Sequence, residues 1–543
     1  MVAKNILLIE PGYKNKYPPL GLMKIAQYHG PNGKNDFVRF IKGEDRSVLD
    51  TAWDRIYVTT LFSFEYKKIG ETIDFAIAVA NGQADKVFVG GIAASLMHEK
   101  FLSVAKWHGV RFIKGLLSKP PATALQLDDF SEEIYSDDKS GKPIEDLVPD
   151  YSILEQIDYA YPVHDAYFAY TSRGCIRKCH FCGVPKLEGM QRDTDSLTEM
   201  VKAIDAQYGP KKDLLLMDNN VVASPRFKDI IAEIRDLGFT PGAKILREGS
   251  RTPVQRRVDF NQGVDARILC KDPMYLRELS TICLRPLRIA FDHLGVKKPY
   301  VQAVRYAHEF GLNELSNYML YNFHDDPRDL FERMRLNVSL NEELGVRIWS
   351  FPMRFQPTDR PDRGHIGAKW TRYQLRSMQL ILQATHGVVS GAPEFFKRAF
   401  GDTVGEFEAI LSLPHDFIFN RDWYQNLGGR AEYDEYQKYF AKLNPAERHE
   451  LLELLSSCDP RFFPDLYEAA STKAVRDVLK FYHSRGKDEL RAIWDHSKKS
   501  AKNSFGDEVG LPEDQFVEDA GLEHEEVPLA PRQMSQNVLQ EAV

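Results

Sequence analysis

Three of the six cysteines lie close together, as Cys175, Cys179 and Cys182, in the segment TSRGCIRKCHFCGVPKLEG. We call this segment, residues 171–189, the cysteine loop. Three thiolates with C-x3-C-x2-C spacing can converge on three corners of a cubane iron–sulfur cluster. The fourth iron then has no protein ligand, so a small molecule can coordinate it. The spacing therefore predicts a [4Fe–4S] cluster that is open at one iron.

The same three cysteines also allow alternatives to such a cluster. Zinc could take His180 as a fourth ligand, although a histidine directly after Cys179 would strain a tetrahedral site. A disulfide does not suit a reducing compartment, and a chance grouping is conceivable for any short motif. The remaining cysteines, Cys270, Cys283 and Cys458, are widely and irregularly spaced, so we expect them to be thiols without a cluster.

Composition narrows the class of protein. The chain has 543 residues, 43% of them hydrophobic and 27% charged, and a net charge of −7, which is unlike a general nucleic-acid-binding protein. No apolar run reaches the roughly 18 residues that cross a membrane. The N-terminal segment MVAKNILLIEPG lacks a signal-peptide cleavage site, so we expect a cytoplasmic protein.

The first part of the chain alternates between strands and helices. Apolar runs at 5–11, 55–64, 86–91 and 110–117 predict strands, and helical spacing at 19–29 and 67–82 predicts helices between them. Near-continuous apolar strands indicate a parallel sheet that is covered on both faces. We therefore expect a Rossmann-like domain over 1–117. The Gly90-Gly91 pair ends one strand, where either a ligand-cradling loop or a simple tight turn would fit.

A longer βα rhythm follows, beginning with the strand that leads into the cysteine loop. Expected strands lie at 166–172, 213–218, 257–263, 287–292, 317–323 and 347–353. Helices are expected at 196–209, 225–239, 273–282, 298–311 and 327–345, the first opening with a capping box, Ser196-x-x-Glu199. Six βα-type repeats predict a partial (β/α)6 TIM-type barrel. The fold class is thus α/β, with a helical C-terminal region.

The remaining segments complete the predicted domain organisation. Residues 118–165 are rich in Pro, Asp, Glu and Ser and predict a linker. The partial barrel spans 166–357 and a helical domain 358–504. Residues 505–543 are acidic and poor in aromatics, which indicates a disordered tail.

Cys175-x3-Cys179-x-Phe181-Cys182 resembles the cluster motif of the radical S-adenosylmethionine (SAM) superfamily, including the aromatic residue before the third cysteine. The resemblance covers about residues 166–357. It implies that a reduced cluster splits SAM into methionine and a 5′-deoxyadenosyl radical, which removes a hydrogen atom from a substrate. It also implies that Phe181 lies near the adenine of SAM, and that a low-potential donor such as a flavodoxin or ferredoxin supplies the electron.

The order of domains resembles the branch of that superfamily with an N-terminal cobalamin-binding domain. PPLGLMKIA, VGGIAASLM and LVPDYSIL look like parts of that arrangement. The branch often carries an Asp-x-His-x-x-Gly motif whose histidine ligates cobalt, and residues 1–115 lack it. Cobalamin then binds without a histidine ligand, or the domain has lost it; we favour loss or an unknown function. Residues 1–115 also lack the second cysteine set of methylthiotransferases, which argues against that activity.

Polar residues follow the expected barrel strands, where a barrel gathers its functional groups. SAM needs acceptors for its ammonium and ribose and a cation for its carboxylate. Arg267 is the candidate for the carboxylate, because a guanidinium can grip it with two bonds, and Asp292 is the candidate for the ribose. The resemblance puts Asp218-Asn219-Asn220 near the methionine amino group. The cofactor-binding candidates are Phe181, Asp218, Asn219, Asn220, Gln262, Asp265, Arg267 and Asp292.

Three functions are compatible with the sequence. The main hypothesis is a radical SAM enzyme that modifies an unidentified organic substrate. The second is a cobalamin-dependent radical SAM methyltransferase. The third is a non-catalytic metal-binding structural or regulatory protein, against which the polar strand ends count. We expect no membrane association, and the sequence carries no clear nucleic-acid signal.

Overall fold

The computed structural model describes residues 3–117, 143–194, 196–247, 249–385, 387–389, 391–457 and 464–482. Its contacts divide the chain into two compact units. The first unit comprises 1–291, 296–317 and 355–365, and the second comprises 292–295, 318–354 and the chain from 366 onward. All three loop cysteines and the polar residues after the first three barrel strands belong to the first unit. In the described part of the chain no helix is both long and apolar enough to span a bilayer.

The N-terminal region is a five-stranded sheet of order β2-β1-β3-β4-β5, and every pairing in it is parallel. Its strands are β1 (Asn5–Glu10), β2 (Phe37–Lys42), β3 (Arg55–Thr60), β4 (Val87–Gly91) and β5 (Arg111–Phe112). Its helices are α1 (Leu20–His29), α2 (Tyr66–Val79), α3 (Ile92–Leu96) and α4 (His98–Leu102). This is a doubly wound sheet whose strand order reverses between β1 and β3, so the Rossmann-like prediction is confirmed.

Strand β2 is not among the expected strands. It forms the edge of the sheet beside β1, and only Phe40 and Ile41 of its residues are buried. An edge strand has one covered side, so its sequence, FVRFIK, mixes apolar and basic residues instead of forming a continuous apolar run. That mixture conceals the strand from a prediction based on hydrophobic runs.

The Gly90-Gly91 pair packs against the neighbouring strand. Gly91 has φ +105°, and a Cβ built there would lie 2.4 Å from the backbone oxygen of Thr60. Glycine is therefore required by both the backbone conformation and the close approach of β3. Of the two interpretations of this pair, the packing supports the tight turn.

The six expected barrel strands are all present, and several are shorter than expected. Strands β6 (Ala166–Ala169), β9 (Asp213–Leu216) and β12 (Val258–Phe260) form a parallel sheet in the order β12-β9-β6. Strands β13 (Leu287–Arg288), β14 (Glu314–Tyr321) and β15 (Arg347–Arg354) form a second sheet in that order, in which β13 and β14 pair in parallel. An isolated parallel bridge between Val264 and Ile289 links the residues that follow β12 with those that follow β13. The strands are thus neighbours in chain order, as a partial barrel requires.

Two short antiparallel pairs lie outside these sheets: β7 (Ser172–Arg173) with β8 (Arg192–Asp193), and β10 (Lys244–Ile245) with β11 (Val254–Gln255). The helices of the barrel region are α5 (Val184–Leu187), α6 (Leu197–Tyr208), α7 (Phe227–Asp236), α8 (Ala266–Leu269), α9 (Met274–Leu279), α10 (Lys297–Glu309) and α11 (Pro327–Leu344). The first pair matters most here, because β7 opens the cysteine loop and β8 follows it.

The capping box expected at the start of α6 is wrong. Ser196 is the N-cap residue, but its hydroxyl lies 3.1 Å from Oε2 of Glu233, and its side chain makes no capping bond to the helix backbone. The same Glu233 oxygen accepts a bond from the backbone N–H of Thr198. A carboxylate from the neighbouring helix α7 therefore takes over the capping role, which a local pattern cannot reveal.

The rest of the described chain is helical, as expected for the C-terminal region. The helices are α12 (Arg372–Ala384), α13 (Pro393–Phe400), α14 (Val404–Leu411), α15 (His415–Phe419), α16 (Arg421–Asn426), α17 (Arg430–Ala441), α18 (Pro445–Ser457), α19 (Pro464–Ala469) and α20 (Lys473–Leu479). Within the expected linker, residues 143–165 contain short 3-10 turns at Ile144–Asp146 and Tyr151–Gln156. Residues 118–142, Cys458 and the acidic segment 505–543 lie outside the described residues.

Candidate functional site

The three cysteines of the motif follow β7 in one loop and are half-buried thiols. Two of the sulfurs accept backbone hydrogen bonds: the N–H of Arg177 donates to Sγ of Cys175 at 3.3 Å, and the N–H of Val184 donates to Sγ of Cys182 at 3.4 Å. The N–H of Cys182 donates to the carbonyl of Cys179 at 3.1 Å. The backbone therefore directs two N–H groups at sulfur atoms of the motif.

The base of the loop is fixed by Gly174 and Glu188. Gly174 has φ +77°, and a Cβ there would lie 2.4 Å from the carbonyl oxygen of Met190. Its N–H donates to Oε2 of Glu188 at 2.7 Å, and the amide of Asn219 donates to the same oxygen at 2.9 Å. The carboxylate of Glu188 thus ties the start of the loop to its end and to the residues after β9. Asn219, expected at the SAM amino group, here serves this tie.

Arg177 and Arg267 share the carboxylate of Asp265. Nε of Arg177 donates to Oδ2 of Asp265 at 2.7 Å, while Arg267 grips the carboxylate through Nε at 2.8 Å and Nη2 at 3.2 Å. Burial alone would raise the pKa of Asp265, but the hydrogen bonds from the two guanidinium groups hold it below its ordinary value. Two cations on one carboxylate leave a net positive charge beside the cysteine loop.

Asp218 is a buried anchor between β6 and β9. It is 1% exposed and accepts hydrogen bonds from the backbone N–H of Thr171, the hydroxyl of Thr171 at 2.6 Å and the hydroxyl of Ser172 at 2.7 Å. Burial raises the pKa of Asp218 above its ordinary value, although these hydrogen bonds oppose the change. Its oxygens are thus engaged by the residues that lead into the cysteine loop.

Asn220 and Gln191 hold two buried acceptors. Asn220 is 3% exposed, and within the described part of the chain neither its Oδ1 nor Oε1 of Gln191 has a hydrogen-bond partner. The two residues are neighbours, because Nε2 of Gln191 donates to the backbone oxygen of Asn220 at 3.1 Å. Buried acceptors without donors cost free energy, so this corner of the site is suited to a ligand that carries N–H groups.

The other candidates are spread more widely. Phe181 is half-buried in the cysteine loop, and Gln262 is exposed in the turn after β12. Asp292 belongs to the second unit, whereas the other candidates belong to the first. The structure therefore brings together Asp218, Asn219, Asn220, Asp265 and Arg267 around the loop, and the binding role of each remains a prediction.

Within the described ranges no group of three or more His, Cys, Asp or Glu side chains could hold a metal ion as it stands. The three thiols share one loop, but the convergence of their sulfurs on one cluster stays a prediction. Three thiols on one short loop are the type of ligand that iron–sulfur clusters use. A zinc site completed by His180 likewise has no assembled ligand group among the described residues.

Two aromatic side chains pack together at the strand reversal of the N-terminal sheet. Tyr13, in the turn after β1, is 1% exposed and packs against Phe62, which follows β3, at 5.5 Å between ring centroids. Ligands of open α/β sheets bind in the crevice at such a reversal. His29 is buried and bonded to Asp36 and Tyr57, so it is unavailable to a cobalt ion. His29 therefore does not fit the role of a cobalt ligand.

Sequence reasoning missed the residues that hold the loop in place. Arg177, Glu188 and Gln191 lie in or next to the cysteine motif, but nothing in their spacing marks Asp265 as a partner 88 residues away. The hydroxyl of Tyr17, in the N-terminal region, donates to Oδ1 of Asn261 at 2.7 Å and was missed for the same reason.

The chain is similar in sequence to two kinds of curated protein, and no family model matches it. It is 27% identical over 128 residues to the ribosomal protein uS12 methylthiotransferase RimO of Leptospira biflexa, which covers 23% of this chain and 25% of that protein. It is 22% identical over 307 residues to the uncharacterized methyltransferase sll1242 of Synechocystis, which covers 55% of this chain and 51% of that protein. The chain thus spans about a quarter of the length of RimO and about half of the length of sll1242.

Two solved structures are also similar to this chain. TsrM of Kitasatospora setae, a radical S-adenosylmethionine methyltransferase with cobalamin and a [4Fe–4S] cluster bound, matches with 15% identity and a TM-score of 0.43 over 66% of this chain and 74% of that one. OxsB, a cobalamin-dependent S-adenosylmethionine radical enzyme, matches with 12% identity and a TM-score of 0.48 over 94% and 85%. Both are similarities to this chain, and its membership of the radical SAM superfamily stays a prediction from the cysteine motif.

Proposed function

We propose that this chain is a radical SAM enzyme. Cys175, Cys179 and Cys182 would hold a [4Fe–4S] cluster, and SAM would occupy the open iron. When bound and reduced, such a cluster supplies the electron that splits SAM into methionine and a 5′-deoxyadenosyl radical. The observation that carries the proposal is the set of three half-buried thiols on one loop, two of which accept backbone N–H groups.

The residues around the loop suit the two ends of the methionine part of SAM. Oδ1 of Asn220 and Oε1 of Gln191 are buried acceptors for its ammonium group. Arg267 supplies a cation for the carboxylate of SAM. Arg177 and Arg267 both bind the carboxylate of Asp265, so Arg177 adds a second guanidinium group at this place. Asp265 therefore orients both cations, and Glu188 keeps the base of the loop closed. Phe181, Gln262 and Asp292 stay proposed contacts for the rest of SAM.

The substrate is an organic molecule that loses a hydrogen atom to the radical. A flavodoxin-like or ferredoxin-like electron donor and a cytoplasmic location also remain proposals. The same holds for the domain boundaries, which are 1–117, 118–165, 166–357, 358–504 and 505–543. The described cysteines are thiols, which suits a reducing compartment.

A cobalamin-dependent methyltransferase is the second candidate, and it is favoured by the sequence similarity to the uncharacterized methyltransferase sll1242. The missing histidine motif counts against it in this chain. S-adenosylhomocysteine distinguishes the two functions, because it forms when SAM donates its methyl group, whereas 5′-deoxyadenosine forms wherever the radical removes a hydrogen atom.

Anaerobic turnover tests the proposal. The protein is reconstituted with iron and sulfide, reduced and mixed with SAM, with and without hydroxocobalamin, and the nucleoside products are measured by mass spectrometry. We expect 5′-deoxyadenosine from the wild type and from Cys270→Ala, which removes a half-buried thiol outside the loop, but none from Cys179→Ala. Production of S-adenosylhomocysteine only with cobalamin would favour the second candidate. Absence of both products, or bound zinc, would refute both.

A further inference from the structure

The N-terminal region contacts the cysteine loop through the end of helix α3. A Cβ built on Gly183 would lie 3.2 Å from Cδ1 and 3.6 Å from Cδ2 of Leu96, the last residue of α3. Gly183 has φ −77° and ψ −20°, a conformation that any residue adopts. Glycine is therefore not required by the backbone here. What it allows is the close approach of the Leu96 side chain.

Helix α3 is held rigidly on its own sheet. The backbone N–H of Ala94 donates to Oγ1 of Thr60 at 2.9 Å, and Oγ of Ser95 donates to the carbonyl of Gly91 at 2.7 Å. Gly91 packs closely against β3, and Ala94 is 0% exposed. The position of Leu96 is thus set by the core of the N-terminal sheet.

On the cysteine-loop side of the contact, Gly183 lies next to one of the three thiols. Gly183 follows Cys182 and is the N-cap residue of α5, and the next N–H, that of Val184, donates to the sulfur of Cys182. A shift of Gly183 therefore moves both the third thiol and the N–H group that supports it.

We infer that Leu96 is a positioning residue for Cys182, so that the N-terminal domain supports the cysteine loop. The inference rests on the proposed radical SAM function and goes beyond it, since it gives the N-terminal domain a task that needs no cobalamin.

Paired substitutions test the contact. Gly183→Val places methyl groups against Leu96, and Leu96→Ala makes room for them. We expect Gly183→Val to slow 5′-deoxyadenosine formation roughly a hundredfold, because a 1 Å displacement of reacting groups can cost that much. The double variant should recover most of the rate. The electron paramagnetic resonance spectrum of the reduced cluster should change in Gly183→Val and return toward that of wild type in the double variant.

Leu96→Ala alone covers the case in which Gly183→Val fails to fold. It should slow the reaction about tenfold, since the loop loses one support. Leu102→Ala, at a residue of α4 that is 53% exposed, should leave the rate unchanged. Equal rates and spectra for wild type and Leu96→Ala, or a double variant no better than Gly183→Val, would overturn the inference. A wild type that binds no cluster would instead refute the proposed function.

Discussion

Arg177 and Asp265 form an ion pair with 2.7 Å between Nε and Oδ2, which joins the segment between the first two cysteines to the residues after β12. Asp265 is also the N-cap of α8 and accepts the backbone N–H of Arg267. One carboxylate thus fixes a loop, a helix and two cations. Loss of this carboxylate should therefore weaken cluster binding by the cysteine loop more than it lowers the stability of the fold.

Asp265→Asn tests this link. The change removes a charged acceptor of three side-chain nitrogens, and we expect it to lower the free energy of unfolding by about 1–2 kcal/mol, since the guanidinium groups are partly solvated. The iron content after reconstitution should fall more sharply. Asp272→Asn, at an exposed carboxylate that caps the start of α9, is the control and should keep the full iron content. Equal iron contents would contradict the role given to Asp265.

Gly174→Ala and Gly189→Ala form a matched pair. Both glycines have positive φ, +77° and +73°, so alanine should cost about 1–2 kcal/mol at either position. Only at Gly174 would the new Cβ meet backbone, 2.4 Å from the oxygen of Met190, whereas nothing lies within 4 Å at Gly189. We expect Gly174→Ala alone to lose cluster binding, measured by iron and sulfide analysis. Similar losses in both variants would mean that backbone strain, and not the closed base of the loop, is responsible.

Asn220→Ala should separate ligand binding from stability. Its Oδ1 has no partner in the described structure, so removing the buried amide should leave the free energy of unfolding unchanged or raise it by about 1 kcal/mol. The dissociation constant for SAM, measured on the reconstituted protein by equilibrium binding, should rise about tenfold. Asn219→Ala loses the bond to Glu188 and should be destabilised instead. Unchanged SAM affinity in Asn220→Ala would remove this residue from the proposed site.

His415 should make the second unit sensitive to acid. Its ring stacks on Tyr373 with centroids 4.2 Å apart, and burial, aided by Arg376, lowers its pKa from 6.5 to about 3. The unfolded chain therefore takes up the proton first. Stability from the neutral ring is present above pH 6.5 and is lost as the pH falls toward 3, at up to about 1.4 kcal/mol per pH unit.

Chemical denaturation at pH 6.5, 5.5 and 4.5 measures this loss. His415→Phe keeps an aromatic ring against Tyr373 but cannot titrate, so its stability should fall less steeply with pH than that of wild type. His449→Gln, at a residue whose side chain is 73% exposed, should follow wild type. If His415→Phe and wild type lose stability in parallel, the acid sensitivity has another source.

The sequence predicts the repeating architecture well, because buried parallel strands and amphipathic helices leave local patterns. The order of the barrel strands and the cysteine loop after the first of them follow from those patterns. Edge strand β2 is not predicted, since only two of its six residues are buried. The contacts that hold the cysteine loop in place are not predicted either. These contacts join distant parts of the chain, and only tertiary packing brings the partners together. They are Glu188 with Asn219, Arg177 with Asp265, and Leu96 with Gly183.

The most direct test of the central claim is electron paramagnetic resonance of the reduced, reconstituted protein before and after SAM is added. A [4Fe–4S] cluster on Cys175, Cys179 and Cys182 with one open iron should give about four irons per chain and a signal that SAM changes, and Cys179→Ala should abolish the signal. A signal that SAM leaves unchanged would mean a closed structural cluster. Bound zinc without a signal would contradict the proposed function altogether.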